Sequence, residues 1–161
     1  FQGGGGMINH VEKQFSTWAA APQKFEAGTP PVAQVSGLKA ALEYVEQYGI
    51  KEIERHDNEL TEYALNQLTV FHDLQLYGPS EIKNRTGVVS FNLKNVHAHD
   101  VAQVLNETGI SIRAGHHCTQ VLHKRLCILA TVRMSFGIYN DSSEIDRMFS
   151  ALDRAREIFL H

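Results

Sequence analysis

From about residue 72 the hydrophobic period switches repeatedly between about two and about 3.6 residues, and this limits the fold more than any other feature of the chain. Leu74 and Leu76 alternate with polar neighbours until Tyr77-Gly78-Pro79 ends the run. Val89, Phe91 and Leu93 alternate in VVSFNL. A helix is expected at about 99–108, with Val101, Val104 and Leu105 inward and Gly109 as its stop. Ile110 and Ile112 then alternate with Ser111 and Arg113, and Val132, Met134 and Phe136 alternate with Thr131, Arg133 and Ser135. The last helix, about 142–159, opens on the capping-box pattern Asp141-x-x-Glu144 and carries the stripe Ile145, Met148, Phe149, Leu152 and Phe159. The order strand, strand, helix, strand, strand, helix predicts a small α+β domain with helices on one face of its sheet.

Upstream, two helices are expected. One covers about 34–48, with the stripe Leu38, Ala41, Leu42 and Val45 and Gly49 just beyond. The other covers about 51–69, with Ile53, Leu60, Ala64 and Leu68 on one face. Residues 11–26 lack a helical period and read as short extended segments, followed by a turn at EAGTPP (26–31). The glycine run at 3–6 is not followed by Gly-Lys-Ser/Thr, so it is no P-loop and reads as flexible linker. A formal charge of −3 with no Lys/Arg run gives no electrostatic case for nucleic acid or an anionic membrane. No stretch is long and apolar enough to span a bilayer, and no signal peptide is visible. The chain starts at Phe1, which reads as a cut or processed terminus. The two cysteines, Cys118 and Cys127, are too few for a disulfide scaffold, so a reducing, cytoplasmic setting is expected.

The chemistry concentrates in RAGHHCTQVL, residues 113–122. Strand parity turns Arg113 away from the core if Ile110 and Ile112 face it, and turns Arg133 away from Val132 and Met134. Two guanidinium groups on the non-core face are either solvated or a carboxylate clamp. Cys118 lies just past one of those strands, in a loop opened by Gly115 and flanked by His116 and His117. Positive neighbours favour the reactive thiolate, and imidazole side chains can pass protons near neutral pH. Cys127, in LCILA, is expected in the core. Cys118, His123 and Cys127, with His116 and His117 adjacent, also have a spacing that zinc could use.

RAGHHC closely resembles the R-x-G-H-H-C loop of SufS-type cysteine desulfurases, the group that includes the selenocysteine lyase-like enzymes. FQGGG, FEAGTP, GLKAALEYV, LYGP, GVVSFNL, H-x-D-V and VRMSFGIYN agree with that family in the same order. The resemblance implies the C-terminal small domain of a pyridoxal-phosphate-dependent transferase-like fold of the aspartate aminotransferase type, with an antiparallel-rich sheet and helices on one face. Residues 1–50 would be the tail of the large cofactor-binding domain and its connecting helix, and 51–161 the small domain.

By position, Cys118 resembles the persulfide-bearing nucleophile, and Arg133 the arginine that holds the substrate carboxylate. Arg113 matches a second active-site arginine. Gly28 and Thr29 resemble residues that reach the pyridoxal 5'-phosphate of the opposite subunit. The implied full-length enzyme is a homodimer that takes sulfur from L-cysteine, or selenium from L-selenocysteine, releases alanine, and passes the sulfur to an acceptor protein of iron–sulfur cluster assembly. Two departures stand out. Cys118 is followed by Thr-Gln-Val-Leu where the family has C-A-x-P-L, and no Ser-x-His-Lys for the cofactor lysine occurs in these residues. The segment alone is therefore expected to be inactive. The alternatives are a non-catalytic remnant that binds a sulfur acceptor, and the Cys/His zinc site.

Overall fold

The computed structural model describes residues 2–83 and 85–160. It contains two compact units, residues 1–49 and 50–161. In the first, β1 (Ile8–Val11) and β2 (Ser16–Trp18) form an antiparallel hairpin, followed by a single 3-10 turn at Gln23–Phe25. The stretch expected to be extended at 11–26 is thus only partly so. Helix α1 (Val32–Tyr48) starts directly after Pro30-Pro31, because a residue preceding proline is held out of the helical region. It stops at Gly49, whose φ of +81° suits glycine and whose N–H reaches back to the Val45 carbonyl. Among the described residues of this unit only Met7 is buried. The stripe expected on α1 is exposed: Leu38 is 59% accessible and Leu42 56%.

The second unit runs α2 (Ile50–Val70), β3 (Leu74–Tyr77), β4 (Val88–Leu93), α3 (Ala98–Glu107), β5 (Arg113–Gly115), α4 (Gln120–Arg125), β6 (Thr131–Ser135) and α5 (Ser142–Phe159). Its four strands are antiparallel in the order β3-β4-β6-β5. β4 alternates as its sequence demands, with Val89, Phe91 and Leu93 buried and the residues between them half-buried. α2, α3 and α5 supply the rest of the core through Leu60, Ala64, Leu68, Val101, Leu105, Ile145, Met148 and Leu152. Each large apolar side chain so buried contributes about 1.5–3 kcal/mol. α5 opens on a complete capping box: Asp141 accepts from the Glu144 N–H, and Glu144 accepts from the Asp141 N–H. Phe159, at the far end of its stripe, is exposed.

The stretch from Ile110 to Cys127 also departs from expectation. Ile110 and Ile112 are not in a strand. The chain first closes α3, with Gly109 at φ +80° and the Ile110 N–H on the Leu105 carbonyl, and joins β6 only from Arg113 onward. Both isoleucines still pack against the core. Helix α4, just after Cys118, was not foreseen. Cys127 is exposed rather than in the core, at φ +56° where the chain turns out of α4, and Leu129 in the same apolar run is 80% accessible.

Candidate functional site

Register fixes the site. Arg113 on β5 lies directly opposite Arg133 on β6, and Ser90 on β4 opposite Arg133. Parity puts these residues on the face away from Val132 and Met134. Like charges directly across a ladder repel, and among the described residues neither arginine has a carboxylate partner. The Nε of Arg133 is buried without a hydrogen-bond partner. An arginine pair with no counter-charge, one of its donors desolvated and unpaired, is a site suited to an anion such as a carboxylate.

Cys118 follows β5 closely. His117 and Cys118 both adopt positive φ, 52° and 62°, a left-handed conformation that costs non-glycine residues about 1 kcal/mol or more each. The conformation presents Cys118 to solvent as a free thiol. Its sulfur stands 4.0 Å from Arg113 Nη2. These two residues line an open hollow with His116, His117, Thr119 and Gln120. Arg133 does not line that hollow; it is reached through its cross-strand neighbour Arg113.

The His117 ring is fixed. Its Nε2 lies 3.0 Å from the Thr131 carbonyl and 2.9 Å from the Thr131 hydroxyl, while its Nδ1 is buried and unpartnered. Burial pulls its pKa below the ordinary histidine value. The bond to the Thr131 backbone opposes this, and the charges of Arg133, Arg113 and His123 add to it. His117 is therefore neutral at pH 7. His123 is buried behind the loop and bonded to Thr119 and Thr131. Among the described residues no group of three His, Cys, Asp or Glu side chains is placed to hold a metal ion, so the Cys118/His123/Cys127 grouping is not assembled.

Gly28 and Thr29 lie in the first unit. Gly28, at φ +87°, donates its N–H to the Gly5 carbonyl at 2.8 Å. A Cβ on Gly4 would come within 3.0 Å of the Gly28 nitrogen, so this close approach requires glycine. The turn leaves Thr29 exposed on a hollow shared with Gly6, Glu26 and Pro30, with its hydroxyl in no hydrogen bond among the described residues. A free hydroxyl on a glycine-shaped turn fits one oxygen of a phosphate group.

Sequence reading missed Thr131, and it weighed His123 only as a metal ligand. Parity alone could have found Thr131, which shares its face with Arg133.

The aminotransferase class-V family matches residues 1–148. The chain belongs to that family. Within this class-V group, a cysteine desulfurase of Haloferax volcanii is 50% identical over 156 residues, covering 97% of this chain and 36% of that protein. A probable cysteine desulfurase of Staphylococcus epidermidis is 46% identical over 156 residues, covering 97% and 38%. Among solved structures, the cysteine desulfurase CsdA of Escherichia coli superposes with a TM-score of 0.86 at 36% identity, covering 99% of this chain and 39% of that one. The apo cysteine desulfurase of Thermococcus onnurineus gives 0.81 at 37%, covering 94% and 38%. The chain thus spans little more than a third of the length of these class-V relatives, and matches their C-terminal part. Among its described residues no helix is long and apolar enough to cross a membrane.

Proposed function

We propose that this chain is the C-terminal part of a pyridoxal-phosphate-dependent cysteine desulfurase, with Cys118 as the nucleophile that receives sulfur. The observation that carries the reading is the exposed sulfur of Cys118 beside Arg113, whose cross-strand neighbour Arg133 has an unpaired buried donor. Arg133, aided by Arg113, binds the substrate carboxylate and sets the direction in which the substrate sulfur points. Cys118 Sγ attacks that sulfur; an S–S bond forms as the substrate C–S bond breaks, and the bonding pair stays on the substrate carbon. The balance is thiol plus cysteine giving persulfide plus alanine, with no external oxidant. Pyridoxal phosphate, when bound, supplies the electron withdrawal that makes the substrate sulfur electrophilic. Thr29 and Gly28 hold the phosphate of the cofactor in the opposite subunit of a homodimer.

The finer assignments follow the same reading. Residues 1–50 are the tail of the large domain and 51–161 the small domain. The cofactor lysine lies in the larger part of the enzyme, and the 161 residues alone do not turn over cysteine. L-Cysteine or L-selenocysteine is the substrate, and a cytoplasmic acceptor protein of iron–sulfur assembly takes the persulfide sulfur.

Grafting tests this. In a chimera, this chain replaces the matching C-terminal residues of the Haloferax volcanii cysteine desulfurase. With L-cysteine the chimera is expected to release alanine and to gain one sulfur atom on Cys118 by mass spectrometry, and Cys118→Ser is expected to abolish both. Undiminished alanine release in Cys118→Ser would remove the proposed nucleophile.

A further inference from the structure

We propose that His123 is a positioning residue for Cys118, acting through Thr131 and His117. The inference rests on reading Cys118 as the nucleophile. A carbonyl oxygen only accepts, which fixes the protons of the whole network. His123 Nδ1, 3.0 Å from the Thr119 carbonyl, must donate to it. In the neutral imidazole, His123 Nε2, 3.3 Å from the Thr131 hydroxyl, is then the acceptor, and Thr131 donates. His117 Nε2, 3.0 Å from the Thr131 carbonyl, must also donate. Thr119 in turn donates its hydroxyl to the His116 carbonyl at 2.7 Å. A single directed chain therefore runs His117, Thr131, His123, Thr119, His116. It attaches to the two residues before Cys118 and the one after it.

Such a chain has work to do here. Two consecutive non-glycine residues in left-handed conformation persist only where their surroundings over-determine them. His117 is tied to β6 by its ring, and Thr119 is tied to His123 on α4. His123 is 4% accessible and Thr131 2%, so these bonds do not compete with water. An apolar side chain at 123 would fill the same space but would not hold Thr131, and would leave Thr119 only the backbone N–H of residue 123. The imidazole is thus explained by direction of hydrogen bonding, not by volume.

The test uses the 161-residue chain and needs no turnover. Iodoacetamide reaches both exposed thiols, and peptide mass spectrometry reads Cys118 against Cys127 as internal reference. In His123→Leu, the Cys118 rate relative to Cys127 is expected to fall about fivefold, the worth of one buried hydrogen bond, as the sulfur leaves its place beside Arg113. His123→Gln, whose amide oxygen can still accept from Thr131, is expected to stay within about twofold of wild type. Long-range proton–nitrogen spectra add a readout that a space-filling role would not move. The Nε2–H tautomer that the Thr131 carbonyl imposes on His117 is expected in wild type and His123→Gln, and is expected to be lost in His123→Leu as the released loop carries the ring off that carbonyl. An unchanged ratio in His123→Leu, or equal loss in the Leu and Gln variants, would overturn the proposal. If His123→Leu does not fold, Thr131→Val removes the same link, and an unchanged ratio there overturns it equally. Failure of the grafted enzyme with these ratios intact would sink the desulfurase reading and leave the positioning role of His123 standing.

Discussion

Helices α1 and α5 have almost the same length, 17 and 18 residues, and both carry an apolar stripe, yet α1 buries no residue and α5 buries six. The difference teaches what an amphipathic pattern encodes. It states that one face of a helix requires cover, and it is silent about what provides the cover. α5 lies against α2, α3 and a sheet within its own unit, and Ile145, Met148, Phe149, Ala151, Leu152 and Ala155 enter one continuous core. α1 has no such setting among the described residues of its unit, and Val35, Leu38 and Leu42 are all more than half accessible. The proposed assignment of residues 1–50 to a larger domain would account for that contrast.

The largest expected effect breaks or keeps this comparison directly. Leu152 is fully buried, and Leu152→Ala is expected to cost about 2–5 kcal/mol in urea unfolding, through lost transfer energy and the cavity left behind. Leu38→Ala, at an exposed helix position, is expected to change stability by less than about 0.5 kcal/mol. Equal costs would mean that α1 is covered in solution by something this structure does not contain.

How much of this was legible in sequence follows the same division. Period and capping gave α2, α3, α5, β3, β4 and β6, because in the second unit local pattern and tertiary burial agree. Arg133 was legible too, since parity in VRMSF leaves it no place in the core, whereas the parity argument for Arg113 leaned on Ile110 and Ile112, which lie outside β5. Their register opposite one another was not legible, because pairing is a relation between strands 20 residues apart. α4 was hidden because a helix of six residues spans under two turns and carries no readable period. Cys127 was misread for a related reason. LCILA is apolar, but the chain spends it on a turn out of α4, and burial belongs to the path rather than to the composition. His123 was visible as a residue and invisible as a partner, since Thr131 is a contact made only by folding.

A middle-sized effect sharpens the comparison on the other face of the sheet. Asn92 donates to the Ala130 carbonyl at 2.8 Å and accepts from the Val132 N–H, tying β4 to the start of β6. Asn92→Ala is expected to cost about 1–2 kcal/mol in urea unfolding, the loss of a partly buried two-ended hydrogen-bonding group. No cost would show that the ladder alone holds β6 in place.

The smallest effect separates the two units by pH. Among the described residues, every histidine and carboxylate whose pKa is clearly displaced lies in the second unit: Asp73, His117 and Asp141, all downward. Burial lowers the His117 pKa in the folded state, and Arg133, Arg113 and His123 reinforce this against the Thr131 bond, while the unfolded chain keeps the ordinary value of 6.5. Between the two values the unfolded state binds more protons, so stability rises with pH through that interval. The contribution is fully present above about pH 6.5 and is lost as pH falls toward the folded value. Urea midpoints of the second unit are therefore expected to decline from pH 7.5 to 5.5. The slope should flatten in His117→Gln, whose amide can donate to the same carbonyl without titrating. Asp73 and Asp141 act only lower, below the ordinary carboxylate range, so they do not obscure the interval. An unchanged slope in His117→Gln would assign the acid sensitivity to another group and remove the case for a neutral ring at position 117.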